Sequence, residues 1–176
     1  MPLPRRGEDQ LYAGAALIAE KTFAAEVEAW VRETKERIEA VFHIAAEDLA
    51  EEIIAKSPVD TGFLRHSFQA SGSQMPVIRA DAKPAEGAKY AVDSGPINLV
   101  ISNVPLGKTI YLGFVAAYAL RLEYGFVGQD SLGRNYNQSG VGMVRLAAQN
   151  WPWIVAEATA RAKAAVLSNE RRDQSP

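Results

Sequence analysis

The sequence has no cysteine and only two histidines among its 176 residues. The absence of cysteine excludes disulfide bridges and thiolate-bound zinc. A metal site would therefore depend on carboxylates, and the acidic residues between Glu47 and Glu52 have the helical spacing of a solvated helix face. We expect neither a metal nor a cofactor.

A large net charge is also missing, because 19 basic and 21 acidic residues leave a formal charge of −2. A protein that binds DNA without sequence preference is normally basic, so a DNA-binding regulator is disfavoured. The glycines Gly125, Gly128 and Gly133 lack the lysine of a P-loop and the spacing of a dinucleotide-binding loop. No nucleotide-binding site is expected.

No run of about eighteen apolar residues is present, so no membrane-spanning segment is expected. The N-terminal stretch "MPLPRRGEDQ" carries charges where a signal peptide requires apolar residues. The composition, 48% hydrophobic and 23% charged residues, is that of an ordinary globular protein. We therefore expect a soluble protein that is made inside the cell.

Residues 15–56 have the periodicity of one long helix. Apolar residues recur there at spacings of three and four, and Pro58 ends the pattern because the residue before a proline is disfavoured in the helical region. The apolar positions are Phe23, Val27, Trp30, Val31, Ile38, Val41, Phe42, Ala45, Leu49 and Ile53. We predict a flexible arm at residues 1–14, a single α+β domain at 15–167 and a flexible tail at 168–176.

This helix is expected to be longer than the domain that contains it. Its residues would extend roughly 63 Å, whereas a compact domain of this size is about 40 Å across. The helix should therefore bend, most readily in the polar segment Arg32–Arg37, or extend beyond its domain. An extended helix would need a neighbouring subunit to cover Phe23, Val27 and Trp30.

The middle of the chain indicates antiparallel strands. A strand is expected to begin at Phe63 or Leu64, and a long polar loop follows at 70–96. The β-branched and aromatic residues of 97–104 and 109–114 indicate two strands of a hairpin, with "PLGK" as the turn between them.

The last third of the chain indicates helices. A short helix at 116–125 is expected to end at Gly125, and 126–141 should form a second polar loop. Pro152 falls off the apolar stripe of residues 143–166, so we predict one kinked helix. The fold class is therefore α+β, with a long N-terminal helix and a C-terminal helix packed on a small antiparallel sheet.

The stretch "SPVDTGFLRHSF" (57–68) contains the residue types of a hydrolase. Ser57 or Ser67 would be the nucleophile, His66 the base and Asp60 the orienting group. No nucleophile elbow or glycine-rich oxyanion loop accompanies them. On a strand, His66 would share a face with the apolar side chain of Leu64, which favours a packed histidine over a catalytic one. A small hydrolase that uses His66 and Asp60 is therefore the less favoured hypothesis.

Trp151 and Trp153 flank Pro152 and must point to different sides of a helix. One of them can join the core, while the other is exposed or buried by a partner. Exposed aromatic anchors are typical of protein interfaces, so an interface role is favoured over a second core contact.

Three segments resemble the motifs of one protein family, in the order that the family has them. "SPVDTGFLRHSF" resembles P-x-D-T-G-x-L-R-x-S, "YALRLEYG" (118–125) resembles Y-A-x-x-x-E-x-G, and "GMVRLAAQNW" (142–151) resembles G-F-V-R-x-A. The family comprises neck proteins of tailed bacteriophages, called tail-completion, tail-terminator, head–tail joining or minor tail proteins. The resemblance covers about residues 40–165, and residues 70–104 match nothing in it.

This resemblance implies a structural virion protein and not an enzyme. Such proteins form rings, commonly hexamers, between the head connector and the tail tube, and DNA passes through them without specific binding. The implied partners are further copies of the chain, a head-completion or connector protein, and a tail tube or tail terminator protein, all assembled in the host cytoplasm. A minor tail or tail-tube-associated protein of the same virion is the alternative.

The resemblance also gives the motif residues an architectural role, in which they end the helix and turn the chain. These residues are Pro58, Asp60, Thr61, Gly62, Leu64 and Arg65. Arg65 is expected to pair with Glu123, either within one subunit or across a ring contact. The candidate interface residues are Trp30, Glu123, Tyr124, Arg145, Trp151 and Trp153.

Overall fold

The computed structural model describes residues 8–130 and 132–173, with the side chains of residues 22–130 and 132–168. Its helices are α1 (Glu8–Lys56), α2 (Phe63–His66), α3 (Gly95–Asn103), α4 (Ala119–Tyr124), α5 (Met143–Gln149) and α6 (Trp151–Asp173). Its strands are β1 (Phe68–Ser71), β2 (Tyr111–Phe114), β3 (Gly125–Gln129) and β4 (Asn135–Ser139). The α+β class that the sequence predicts is confirmed.

The chain divides into two compact units, residues 1–38 and 39–176. The described residues of unit 1 belong to α1, and unit 2 contains the end of α1 and all the other elements. Among the described residues α1 begins at Glu8 and α6 ends at Asp173. The predicted arm (1–14) and tail (168–176) extend into residues 1–7 and 174–176, outside the described residues. The division into arm, single domain and tail stays a prediction.

The long helix predicted for residues 15–56 is confirmed. α1 runs to Lys56, and the segment Arg32–Arg37 is helical. The helix ends before Pro58, as expected from the restriction that a proline places on the preceding residue. The N–H of Ser57 donates to the carbonyl of Ile54 at 3.2 Å, so the last turn tightens to a 3₁₀ bond.

The core of unit 2 lies where the end of α1 meets the strands and the short helices. The core contains a cross-strand aromatic pair, Phe68 and Phe114, with ring centroids 4.9 Å apart. The buried members of this cluster are Ala46, Ala50, Ile53, Ile54, Leu64, Phe68, Ile97, Ile101, Phe114, Ala116, Ala119, Met143 and Ala147. A second cluster packs α6 on α1 through Ala45, Ile154 and Ala158. Helices from both ends of the sequence therefore share the core.

The strands form two separate antiparallel pairs. β1 pairs with β2 in a register that runs from Phe68 opposite Phe114 to Ser71 opposite Tyr111. β3 pairs with β4, from Gly125 opposite Ser139 to Gln129 opposite Asn135. The predicted strand at 109–114 is confirmed as β2, but its partner is β1 and not residues 97–104.

The prediction of a strand beginning at Phe63 or Leu64 is wrong. Residues Phe63–His66 form the single helical turn α2, and the strand begins at Phe68. Gly62 has φ of 86°, and its carbonyl accepts the N–H of His66 at 3.0 Å. This turn reverses the chain after α1 before extended structure begins, so the alternating face predicted for Leu64 and His66 does not exist.

The predicted strand at 97–104 is also wrong, because Gly95–Asn103 is the helix α3. Ile97 and Ile101 are both buried, and their spacing of four places them on one helix face. Pro96 lies in the first turn, where its missing N–H is not needed. Packing against the core therefore outweighs the strand preference of the β-branched residues.

Residues 126–141 were predicted to be a loop, but most of them form the hairpin of β3 and β4. Its second strand, Asn135–Ser139, has one aromatic residue, Tyr136, among four polar ones and therefore no apolar alternation. The turn between the strands is more informative, because Gly133 lies in it with a positive φ of 73°. The long loop predicted at 70–96 is confirmed for residues 72–94.

The prediction of one kinked C-terminal helix is wrong in part, because α5 and α6 are separated at Asn150. The Asn150 N–H closes α5 on the carbonyl of Ala147, and the Asn150 carbonyl accepts the N–H groups of Trp153 and Ile154. Pro152 lies in the first turn of α6, a favourable place for proline. The predicted short helix that ends at Gly125 is confirmed as α4.

Candidate assembly surfaces

The side chain of Arg65 caps the C-terminal end of α1. Its Nε and Nη2 atoms donate to the carbonyl oxygen of Ser57 at 2.9 and 2.7 Å, and Nη2 also donates to the carbonyl of Ala55 at 3.1 Å. The last carbonyls of a helix have no partner within it and carry partial negative charge. A guanidinium satisfies two of them at once, so Arg65 fixes the point at which the chain leaves the helix.

The turn between α1 and α2 is held by Thr61 and by a close backbone contact. The Thr61 hydroxyl, and not the carboxylate of Asp60, accepts the N–H of Phe63 at 3.3 Å. The N–H of Tyr90 donates to the Thr61 carbonyl at 2.8 Å. A Cβ atom on Gly62 would lie 2.1 Å from the carbonyl oxygen of Tyr90. The loop that carries Tyr90 therefore packs on this turn only because position 62 is glycine.

The side chains of Asp60 and His66 are not hydrogen-bonded to each other. Both side chains are exposed, and Nδ1 of His66 is 3.1 Å from the carbonyl oxygen of Ala91. Burial of the Tyr118 phenol, with a smaller effect from the Asp60 charge, raises the pKa of Tyr118. The groove beside β1, lined in part by Gln69 and Arg79, includes neither Asp60 nor His66. Within the described part of the chain, no cluster of three acidic or histidine side chains could hold a metal.

Glu123 anchors α5 to α4. Its carboxylate accepts the backbone N–H groups of Val144 and Arg145 at 2.9 and 3.0 Å. These N–H groups lie in the first turn of α5, where a helix offers them no partner of its own. The N–H of Gly142 donates to the Glu123 carbonyl at 3.1 Å. The pairing of Arg65 with Glu123 within one subunit is therefore wrong, because each side chain is bound to backbone groups elsewhere.

The three sequence motifs meet in the structure. The carboxylate of Glu123 in the second motif binds the N–H groups of the third, and the buried Ser57 hydroxyl of the first lies 3.5 Å from the sulfur of Met143 in the third. Leu64, also from the first motif, belongs to the same buried cluster as Met143 and Ala147. The spacing of the motifs along the sequence thus corresponds to one packed region of unit 2.

The hairpin of β3 and β4 has hydrogen bonds to Asp130 near its tip, and exposed apolar side chains lie on it and beside it. The carboxylate of Asp130 accepts the N–H groups of Leu132 and Arg134, and the Arg134 guanidinium binds the same carboxylate at 2.6 Å. The hydrogen bond from Arg134 is the main reason that the pKa of Asp130 falls to about 2. Tyr124, Val127 and Leu132 point into solvent, and Tyr124 is 76% exposed.

Unit 1 has a row of exposed apolar side chains along α1, which we call the α1 stripe. Its members are Phe23, Val27, Trp30, Val31 and Ile38. They recur at helical spacing, so they lie on one side of the helix. Trp30 is 67% exposed. Phe23, Val27 and Trp30 are exposed, and the expectation that a neighbouring subunit covers them stays a prediction.

The two tryptophans of α6 both face solvent in part. Trp153 is 66% exposed, and Trp151 remains 40% exposed although it lies on the side of the buried stripe. The expectation that one of them joins the core is therefore wrong. Arg145, also predicted to lie at an interface, is exposed, whereas the carboxylate of Glu123 is bound inside the subunit.

A family model of the bacteriophage HK97-gp10-like tail components matches residues 21–125, more than half of the chain. The chain belongs to this family, and the resemblance to phage tail proteins is confirmed. Membership makes the protein a tail-related structural component of a bacteriophage virion, which interacts with other virion proteins.

No curated protein and no solved structure matches the chain. In the described residues, no helix is long and apolar enough to cross a membrane. The family match includes the α1 stripe, the motif that contains Arg65 and the motif that contains Glu123, and it ends before α5.

Proposed function

We propose that this protein forms a closed ring, most simply a hexamer, at the neck of the phage particle. The ring joins the head connector or head-completion protein to the tail tube or tail terminator protein, and DNA passes through it. The protein acts as a mechanical coupling and makes or breaks no covalent bond.

The observation that carries this proposal is the exposure of aromatic side chains in both units. Unit 1 exposes Phe23 and Trp30, and unit 2 exposes Tyr124 and Trp153. A head-to-tail contact between identical subunits requires two different complementary surfaces on each copy, and it closes into a ring when the rotation allows. Large exposed aromatics are typical of the centres of such contacts.

The corner at residues 57–65 supports a mechanical role. Its side chains are used on the protein's own backbone, since Arg65 binds carbonyls of α1 and Thr61 binds an N–H of α2. His66 is held against the Ala91 carbonyl. A hydrolase would instead place its base beside a nucleophile in a cleft. We therefore assign no catalytic role to Asp60 or His66.

The net charge of the chain supports a ring through which DNA passes without binding tightly to the protein. A formal net charge of −2 provides no general attraction for phosphates. DNA should bind weakly at physiological salt, and mobility-shift titration with duplex DNA measures this directly. Affinity in the specific range, falling steeply with salt, would indicate a DNA-binding protein and contradict the proposal.

The test of the ring is the mass of the purified protein over a range of concentrations, by native mass spectrometry and sedimentation. We expect one discrete closed oligomer, and we expect Trp30→Ala to shift the distribution toward monomer. Glu28→Ala, at an exposed position on another side of α1, is the control and should assemble like the wild type. A strict monomer both alone and with the isolated connector would contradict the proposal.

The position in the virion separates the neck assignment from the alternative of a minor tail or tail-tube-associated protein. Immunogold labelling of whole particles should place the label at the junction of head and tail. Label along the tail would reject the neck position while leaving the protein as a tail component.

A further inference from the structure

α6 has a second apolar face in addition to the one that it buries, and we call it the α6 outer face. Its members are Trp153, Ala156, Ala160, Ala164 and Leu167, all exposed. They recur at spacings of three and four, and at about 100° per residue they lie roughly opposite the buried Ile154 and Ala158. A helix that is apolar on two sides packs against two partners, and unit 2 supplies only one of them.

We infer that the α6 outer face of one copy binds the α1 stripe of the next copy, with the two helices antiparallel. This inference rests on the proposed ring and names the contact that builds it. The contact is heterologous, because it joins two different surfaces of the same chain, and such contacts generate rings.

The two faces match in length and in shape. Phe23 to Ile38 spans about 22 Å along α1, and Trp153 to Leu167 spans about 21 Å along α6. The stripe has its bulkiest side chain, Trp30, near the middle, whereas the outer face has alanines in the middle and bulky residues at both ends. A large side chain opposite small ones lets two helices interlock.

The flanking charges select the antiparallel orientation. Glu26 lies on one side of the α1 stripe and Lys35 on the other, while Lys163 and Glu157 lie on the two sides of the α6 outer face. When the centres of the faces are aligned and the helices run in opposite directions, Glu26 meets Lys163 and Lys35 meets Glu157. A parallel arrangement would instead place the two acids on one side and the two lysines on the other.

These four side chains are available for contacts between copies. All four are exposed, and in the described residues none of them belongs to a salt bridge. Glu157 lies near Arg161, whose guanidinium is already bound to Asp48. By contrast, two flanking pairs on α1, Arg32 with Glu36 and Arg37 with Glu33, are satisfied within the helix.

Cross-linking between copies tests the contact, and the absence of cysteine makes each introduced thiol unique. Thr34→Cys and Ala156→Cys, which the antiparallel register places opposite each other, are prepared as separate full-length proteins and mixed. A short bis-maleimide should give a mixed dimer well above the yield from either protein alone. Ala25→Cys, on the other side of α1, is the matched control and should give no mixed dimer with Ala156→Cys.

Each outcome is decisive for this contact. A mixed dimer in the Thr34 and Ala156 mixture alone supports the inference. Dimers of Thr34→Cys with itself would indicate pairing of two α1 stripes, and absence of a mixed dimer in an assembled protein would show that the ring uses another contact. Either result overturns the inference and leaves the ring intact. A wild type that is monomeric both alone and with the isolated connector, measured separately, would instead reject the ring itself.

Charge reversal tests the orientation. The double variant Glu26→Lys/Lys35→Glu should raise the dissociation constant for assembly about tenfold, because two attractive pairs become repulsive. Adding Glu157→Lys and Lys163→Glu to the same chain should restore assembly. The control Arg32→Glu/Glu36→Lys exchanges the members of an exposed pair on another side of α1 and should have no effect. If the variant with all four substitutions does not regain the assembly of the wild type, the antiparallel register is wrong.

Discussion

The two units of this chain use apolar residues in opposite ways. In unit 2 they close a core, and Ile101, Met143 and Ala147 are completely buried. In unit 1 none of the described side chains, residues 22–38, is buried, and Phe23 and Trp30 are each 67% exposed. Removal from water is favourable for both sets of apolar side chains. Within the described part of the chain, however, only those of unit 2 become buried. The comparison teaches that unit 2 contains the packed core of the fold, whereas the described apolar side chains of unit 1 are left exposed.

The sharpest test of this comparison removes the same side chain from each unit. Ile101→Ala should lower the free energy of unfolding by about 4 kcal/mol, because it leaves a cavity in a fully packed core. Ile38→Ala, where half of the side chain is in water, should change it by no more than about 0.5 kcal/mol. Urea unfolding of dilute, monomeric protein measures both. Equal losses would show that the stripe belongs to the fold.

The next largest effect is expected at the turn after α1. Gly62→Ala should lower the free energy of unfolding by about 3 kcal/mol or more. The new Cβ would clash with the Tyr90 carbonyl, and alanine rarely adopts the positive φ of this position. Gly107→Ala is the matched control, with φ of 87° but no atom within 4 Å of the Cβ position. It should cost about 1 kcal/mol. Similar losses in thermal or urea unfolding would show that the Tyr90 contact is unimportant.

A smaller loss is expected when the cap on α1 is removed. Arg65→Ala should lower the free energy of unfolding by about 2 kcal/mol, because the carbonyls of Ser57 and Ala55 lose charged donors. Arg65→Lys should recover only part, since an ammonium lacks the planar fork that reaches both groups. Arg32→Ala, on an exposed part of α1, serves as the control. A fully stable Arg65→Ala protein would contradict the capping role.

The smallest effect concerns the hairpin tip. The folded pKa of Asp130, about 2, lies below the ordinary value of 3.8. Protonation of Asp130 therefore destabilises the hydrogen bonds that its carboxylate accepts near the tip. These hydrogen bonds should persist at pH 4 and be lost as the pH falls toward 2. Amide exchange at Leu132 and Arg134 measures this. At pH 4 and above, Asp130→Asn should speed that exchange relative to the wild type and leave global unfolding unchanged. Slow exchange in this variant would contradict the role of Asp130.

The sequence was most informative where local chemistry decides the structure. The long helix follows from apolar periodicity and from Pro58, and the end of α4 follows from Gly125. Both features depend on a few neighbouring residues. The family resemblance likewise rests on short motifs, and the match over residues 21–125 confirms it.

Partners distant in the sequence could not be predicted. β1 pairs with β2 across more than thirty intervening residues, and nothing in either strand specifies the other. The helix α3 was mistaken for a strand because its β-branched residues favour extended structure, while the burial of Ile97 and Ile101 depends on the assembled core. β4 has a single aromatic residue, Tyr136, among four polar ones, so it has no apolar alternation to detect.

The same limit applies to the architectural residues. The first and second motifs point to structural roles for Arg65 and Glu123, and their opposite charges suggest that the two side chains bind each other. Both bind backbone groups at helix ends, on α1 and α5 respectively. Such partners have no sequence signature, because every residue has the same carbonyl and N–H.

The most direct test of this account follows the environment of Trp30 during assembly. In a Trp151→Phe/Trp153→Phe background, Trp30 is the remaining tryptophan, and its fluorescence can be recorded beside the mass of the particle as concentration rises. We predict that its emission shifts to shorter wavelength in step with the appearance of the oligomer. An assembled oligomer in which Trp30 still emits as it does in water would contradict the account.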